Sequence, residues 1–243
     1  MKIFALETSA KAVSVAVTDD GRVLASAYQD NGLTHSRTLM PLAESLFKGI
    51  GRTPRDMDAF AVAVGPGSFT GVRIGVAAAK GFAFGADRPA VGVSTLSAMA
   101  RNVAFSDGLI LCAMDARRNQ IYEASFRAEN GVLTRLTPDR AISLSDLAEE
   151  LSSGSLSPEL SDGAPPVPPI VVGDGANLCA DYLNARGVPC RIAPPHLIMQ
   201  NAVSVALEAE SASASQFVAA SELRPVYLRP PQAVPLRERV NNA

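Results

Sequence analysis

One pattern occurs twice in this chain, and few folds accommodate it. Ala5-Leu6-Glu7 and Ala113-Met114-Asp115 each close an apolar run with an acidic residue. A second strand-like run follows each and ends in a turn, Asp19-Asp20-Gly21 in the first copy and Glu129-Asn130-Gly131 in the second. Strand-like runs bounded by Asp-Gly or Asn-Gly read as β-hairpins. Two meanders of one construction predict an internal duplication, and 243 residues are enough for two lobes with substantial cores.

Between and after the meanders the spacing changes. Strands are expected at 3–8, 12–18 and 22–29, then a helix at 36–49 with Leu39, Leu42, Leu46 and Ile50 on one face and Met40 and Phe47 on a second. The apolar run 59–64 reads as a buried strand and 70–84 as a helix. A short strand at 90–93 leads to Ser94, the expected cap of a helix at 95–104. In the second half, strands are expected at 110–114, 120–127 and 170–172, with helices at 176–186 and 201–220. The Ser, Gly and Pro of 152–169 predict a surface loop, and 224–229 reads as extended before a tail that opens at Pro230-Pro231. The expected units are a first lobe at 1–105, completed by helix 201–220, a smaller second lobe at 106–200, and a C-terminal segment at 221–243.

Composition narrows the function. The 22 basic and 24 acidic residues give a net charge of −2, which does not suit a stand-alone nucleic-acid binder. Cys112, Cys179 and Cys190 are odd in number and sit in apolar surroundings, as reduced thiols do. The first residues run straight into a strand without a leader pattern, and no apolar run approaches a membrane span, so a cytoplasmic protein is expected. The histidines, His35 and His196, are far apart in sequence, and no Cys, His or Asp cluster stands at metal-ligand spacing. Two histidines also make a Ser-His-Asp set a coincidence, and Gly-Pro-Gly-Ser68-Phe69 is not a nucleophile elbow, so peptidase chemistry is disfavoured.

The strand at 59–64 runs into Gly65-Pro66-Gly67-Ser68-Phe69-Thr70-Gly71-Val72-Arg73. A glycine-rich turn before a helix can gather N–H groups around an anion, or it can serve only a tight connection. The segment lacks the Gly-Lys-Ser/Thr ending of a P-loop. In the helix that follows, Gly71, Gly75 and Ala79 recur at every fourth position with Ala78 beside them, although glycine inside a helix costs about 1 kcal/mol. Such a stripe permits close approach, either of a partner helix or of the chain's own sheet.

The glycine segment, with Gly92-Val93-Ser94-Thr95-Leu96, Asp115-Ala116-Arg117 and Pro225-Val226-Tyr227-Leu228-Arg229, resembles the TsaB (YeaZ) family over nearly the whole chain. The resemblance implies the α/β, two-lobed actin-like ATPase fold, a duplicated RNase H-like unit with a mixed sheet and flanking helices in each lobe. It implies a non-catalytic subunit of the machinery that makes N6-threonylcarbamoyladenosine in tRNA, dimerising with its paralogue TsaD. TsaE joins that pair, while the synthase TsaC and tRNA are indirect partners. A homodimer forms when TsaD is absent.

The implied partner surface is carried by Leu39, Met40, Ala43 and Phe47 on helix 36–49 and by Gly71, Ile74, Gly75, Ala78, Ala79 and Phe82 on helix 70–84. Gly75→Leu or Ala79→Leu is then expected to break the heterodimer and leave the monomer folded. Glu7, Thr8, Asp115, Gly173 and Gly175 fall where the superfamily grips phosphate, Mg²⁺ and adenosine. Position 7 is Glu where many relatives have Asp, and Asp115 precedes Ala-Arg-Arg rather than a glycine turn, so no cofactor is expected to be required, with weak ATP or ADP binding with Mg²⁺ as the alternative. The rival to a scaffold is an active ATPase or small-molecule kinase of the same fold.

Overall fold

The computed structural model describes residues 1–117, 119–156 and 167–229. The first meander is β1 (Lys2–Glu7), β2 (Val13–Asp19) and β3 (Arg22–Gln29), followed by α1 (His35–Gly49), β4 (Ala59–Gly65), α2 (Phe69–Ala86), β5 (Ala90–Ser94) and α3 (Thr95–Arg101). The second half repeats it with β6 (Gly108–Asp115), β7 (Gln120–Glu129), β8 (Val132–Arg135), β9 (Arg140–Ser143), α4 (Leu144–Ser152), β10 (Ile170–Val172), α5 (Ala176–Asn184) and β11 (Arg191–Ile192). The chain then returns through α6 (Ala202–Glu210) and β12 (Phe217–Val218).

The sheets run β12-β5-β4-β1-β2-β3 and β11-β10-β6-β7-β8. In each, the meander is antiparallel and the later strands add in parallel to its first member, β4 beside β1 and β10 beside β6. Two departures are β12, an antiparallel edge strand on β5 that the second sheet lacks among the described residues, and β3's counterpart, which is split: β8 and β9 pair with successive halves of β7. This is the duplicated RNase H-like topology of two-lobed actin-like proteins.

Side-chain alternation explains how each sheet is covered. In β1, Phe4 and Leu6 face a core with α1 and α2, while Ile3 and Ala5 face α6. Phe4, Phe47, Phe60 and Phe82 form an aromatic cluster there, with the Phe4 and Phe47 centroids 4.7 Å apart. Burying one such ring contributes about 1.5–3 kcal/mol. The opposite face is lined by Ala5, Ala16, Ala61 and Ala63, whose small side chains let the alanine-rich α6 lie close. In the second sheet, α3 covers Ile110, Cys112 and Met114, and α4 and α5 cover Leu111 and Ala113.

Helices α3 and α6 therefore change sides: α3, from the first half, packs on the second sheet, and α6, from the second half, packs on the first. They meet through polar contacts. Arg101 Nε donates to Glu208 at 2.7 Å, and the buried Asn102 carboxamide donates to the Leu197 and Met199 carbonyls and accepts from Asn201 and Ser204.

Two helices are shorter than their patterns suggest. α3 closes at Arg101, and Ser94 caps its start by accepting from the Ser97 N–H. The helix expected over 201–220 stops at Glu210, because Ser213 and Gln216 bond each other's backbone in a capping box that starts a separate turn. Phe217 and Val218 then extend the sheet beside β5. Most of the loop expected at 152–169, and the tail from Pro230, lie outside the described residues.

Candidate functional site

The acid-ended strands β1 and β6 bring their C-terminal ends to one interlobe cleft of about 560 Å³. The turn after β1 supplies Ser9, Ala10 and Lys11, and the turn after β6 supplies Asp115, Ala116 and Arg117. The two turns begin alike. Glu7 accepts from the Ser9 N–H at 2.5 Å, and Asp115 accepts from the Arg117 N–H at 2.7 Å, each carboxylate bonding the amide two residues on. Arg117 completes its turn with a left-handed backbone, φ 63°.

The glycine segment lies against the first of these turns, and the segment's composition follows from how closely it approaches. The Ser68 N–H donates to the Ser9 carbonyl at 2.6 Å. A Cβ at Gly67 would stand 2.4 Å from the Ser9 carbonyl oxygen, one at Gly71 2.1 Å from that of Thr8, and one at Gly75 2.3 Å from Thr8 Oγ1. These glycines thus hold β4 and α2 against the end of β1. Gly173 and Gly175 do the same in the second lobe, where a Cβ would meet the Ala113 carbonyl oxygen at 2.2 Å and the Asp115 nitrogen at 2.8 Å.

This geometry sorts the residues expected to grip a nucleotide. Thr8 Oγ1 is committed to the Gly71 carbonyl at 2.8 Å. Glu7 is sealed, with 1% exposure, and desolvation raises its carboxyl pKa to about 7, the charge of Asp174 adding in the same direction. Gly173 and Gly175 are buried, and the space beside them is filled by the chain's own backbone. Of the five, Asp115 is the one exposed to the cleft. These residues do not fit phosphate and Mg²⁺ in the superfamily's manner. Among the described residues no group of three His, Cys, Asp or Glu could hold a metal. His35 Nε2 lies 3.1 Å from the Ala12 carbonyl, a structural contact.

Asp174, in the Gly-Asp-Gly step, lines the cleft, and spacing did not point to Gln200, which is buried behind it. Desolvation raises the Asp174 pKa although the residue is open to the cleft, Asp115 adds its charge, and Gln200 Nε2 donates to Asp174 at 3.3 Å. The signal for Asp174 was the Gly-Asp-Gly step after β10. The cleft also holds Lys11, Arg117 and Arg229, so both signs of charge line it.

The residues expected at a partner surface divide into two sets. Leu39, Ala43 and Phe47 of α1 and Gly71, Gly75 and Ala79 of α2 are buried in the chain's own core. The small-residue stripe therefore serves the sheet, because Thr8 and Val62 occupy the space where a partner would have to be. Gly75→Leu or Ala79→Leu would accordingly disrupt the monomer, contrary to the sequence-based expectation. Ile74, Ala78 and Phe82 are half-buried at the edge of that core. Met40 is 52% exposed, and Phe84, one turn beyond Lys80, is 84% exposed. Met40, Phe47 and Phe82 line a shallow groove between α1 and α2 with Glu44, Lys48 and Arg52 around it. Phe84, Ala77, Gly81 and Gly85 complete the outer face of α2, which the periodicity of 70–84 did not single out.

Comparison with known proteins agrees with this architecture. The family model for tRNA N6-adenosine threonylcarbamoyltransferase, TsaD, matches residues 30–220. The tRNA threonylcarbamoyladenosine biosynthesis protein TsaB of Bacillus subtilis is 38% identical over 151 residues, 62% of this chain and 66% of that protein. Its Escherichia coli namesake is 40% identical over 135 residues, 54% of this chain and 58% of that one. The aligned stretch thus spans a little under two thirds of these relatives' length. The solved structure of YeaZ from Pseudomonas aeruginosa superposes with a TM-score of 0.74 at 26% identity, covering 93% of this chain and 99% of that one. The same two-lobed fold with these relatives around it places the chain in the TsaB (YeaZ) family, to which it belongs.

Proposed function

We propose that this chain is the partner-binding, non-catalytic subunit of the complex that installs N6-threonylcarbamoyladenosine in tRNA, and that it holds TsaD in an active arrangement through the outer faces of α1 and α2. The observation that carries this reading is the exposed apolar surface those helices present, Met40 and Phe84 above all, beside the groove that Phe47 and Phe82 floor. Two such helices from each subunit would form a four-helix bundle. TsaE then joins the pair, TsaC and tRNA are met indirectly, and two copies of this chain pair through the same face when TsaD is lacking. The site of action would be the cytoplasm; no helix among the described residues is long and apolar enough to cross a membrane.

The ATPase or kinase alternative asks Thr8, Gly173 and Gly175 for groups they have committed elsewhere, and Glu7 for a carboxyl that is buried. In the scaffold reading the subunit needs no cofactor of its own.

The test is to mix the purified chain with TsaD from the same source and record the mass by light scattering. Threonylcarbamoyl transfer to tRNA is then assayed with TsaC and TsaE present. A 1:1 species whose activity needs both chains supports the reading. Met40→Asp with Phe84→Asp, both exposed, should weaken the pair by about tenfold or more while leaving the thermal midpoint within a few degrees. Unchanged affinity would sink the assignment of this face.

A further inference from the structure

The segment after the last strand crosses from one lobe to the other. Its first contacts belong to lobe 1. The Val226 N–H donates to the Val64 carbonyl at 2.7 Å, and the Val226 carbonyl oxygen sits where a Cβ of Gly65 would be, 2.4 Å away. The Tyr227 ring packs on Phe69 with centroids 4.9 Å apart and the planes tilted by 34°, and its hydroxyl accepts from Arg73 Nε at 2.8 Å. The Arg73 guanidinium lies over the Phe69 ring, 3.9 Å from its centroid.

Its last contacts belong to lobe 2. Arg229 Nη1 donates to the Ala116 carbonyl at 2.8 Å, in the turn after β6, and the guanidinium stands 5.8 Å from the Tyr122 ring centroid. Between these anchors, Val226, Tyr227, Leu228 and Arg229 form one wall of the cleft. Among the described residues the lobes are also linked through α3 and α6, and through Ser94 at the end of β5, whose hydroxyl donates to Asp139 at 2.6 Å and accepts from Arg135.

We propose that Val226–Arg229 is a clasp across the mouth of the cleft: it ties the turn after β6 to the start of α2, and the lobes open about the α3–α6 contact when it lets go. Two features fit a releasable device. The lobe-2 anchor is a side-chain hydrogen bond to a carbonyl rather than a strand pairing, and no core packing accompanies it; Leu228 and Arg229 are half-buried and Val226 and Tyr227 exposed. The lobe-1 anchor is built to stay, since Gly65, having no Cβ, lets the Val226 backbone lie against the end of β4 and bond the Val64 carbonyl. Arg229 is therefore the end that releases first. The clasp is independent of which partner, if any, docks on α1 and α2.

The experiment measures the distance between lobes. Spin labels are placed by Asp30→Cys and Glu149→Cys, exposed positions in the first and second lobes, on the full chain carrying Cys190→Ser; Cys112 and Cys179 are buried. The parent should give one narrow distance distribution by pulsed electron resonance. Arg229→Ala should add a longer, broader population, raising the open fraction about fivefold to tenfold for one lost charged hydrogen bond. Arg229→Lys, which keeps a donor, should restore the parent distribution at least in part. Identical distributions for the parent and Arg229→Ala overturn the clasp. Should Arg229→Ala fail to fold, as judged by circular dichroism, Arg229→Met carries the test by removing the donor to the Ala116 carbonyl while keeping a long side chain: a broadened distribution supports the clasp, and an unchanged one overturns it.

Discussion

The first strands of the two lobes match up to their final carboxylates and differ immediately afterwards. Glu7 and Asp115 bond the amide two residues on in the same way, and each is flanked by a parallel strand that ends in Gly-x-Gly, Gly65-Pro66-Gly67 in one lobe and Gly173-Asp174-Gly175 in the other. In lobe 1 that step leads into the 18 residues of α2, which cover the turn, and Glu7 is sealed beneath. In lobe 2 it leads into the 9 residues of α5, and Asp115 is left facing the cleft. The same local motif thus yields a buried structural carboxyl in one lobe and a solvated one in the other, decided by what packs over it. A carboxylate at the end of such a strand is evidence for the fold before it is evidence for chemistry.

The largest expected effect comes from pushing α2 off the turn. Gly71→Ala, which puts a Cβ against the Thr8 carbonyl, should destabilise the chain by about 3 kcal/mol or more in denaturant titrations, since neither atom belongs to a flexible side chain. An unchanged midpoint would mean that the contact is not a constraint.

Next is the sealed carboxyl. Its folded pKa, raised to about 7 from 4.5, means that the native chain binds the proton more tightly than the unfolded one. Stability is then greatest below the unfolded pKa and falls as pH rises toward 7, by roughly 3 kcal/mol, levelling off above. Glu7→Gln should flatten this decline and raise the thermal midpoint at pH 8. Asp115→Asn, at the exposed counterpart, should change the stability by about 0.5 kcal/mol or less. Equal pH profiles for the parent and Glu7→Gln would remove the distinction between the lobes.

The smallest effect has the opposite sign. Gly81, on the outer face of α2, has nothing within 4 Å of a Cβ, so Gly81→Ala should stabilise the chain by about 0.5–1 kcal/mol. Paired with Gly71→Ala, it separates the inner from the outer side of one helix.

The duplication could be read directly because each meander carries its own turn residues, Gly21 and Gly131, and because β1 and β6 are each an apolar run closed by an acidic residue. Less was legible where short elements depend on distant partners. β11 and β12 have 2 residues each and exist because β10 and β5 offer them an edge. Helix α4 was not expected, although Leu144, Leu147, Ala148 and Leu151 stand at helical spacing and Ser143 caps the start by accepting from the Asp146 N–H. At the partner surface, spacing picked out Gly71, Gly75 and Ala79 as a close-contact stripe, but spacing carries no information about which side of a helix meets the sheet. Phe84, the most exposed aromatic on α2, lay one step outside that stripe. Of the nucleotide candidates Asp115 is exposed to the cleft, and only coordinates could reveal that the chain's own backbone already occupies the room beside Gly173 and Gly175.

The exchange of α3 and α6 has a consequence for how the chain is born. The alanine-lined face of the first sheet, which α3 touches at Ala98, stays open to solvent over the rest of its extent until residues 202–210 leave the ribosome, after the second lobe's strands have been made. Until then α3 has its own apolar side to hide and no second sheet to hide it on. Lobe 1 therefore cannot finish folding during synthesis in the order its strands are written, and a nascent chain halted near residue 105 would display two uncovered apolar faces to whatever chaperone meets it.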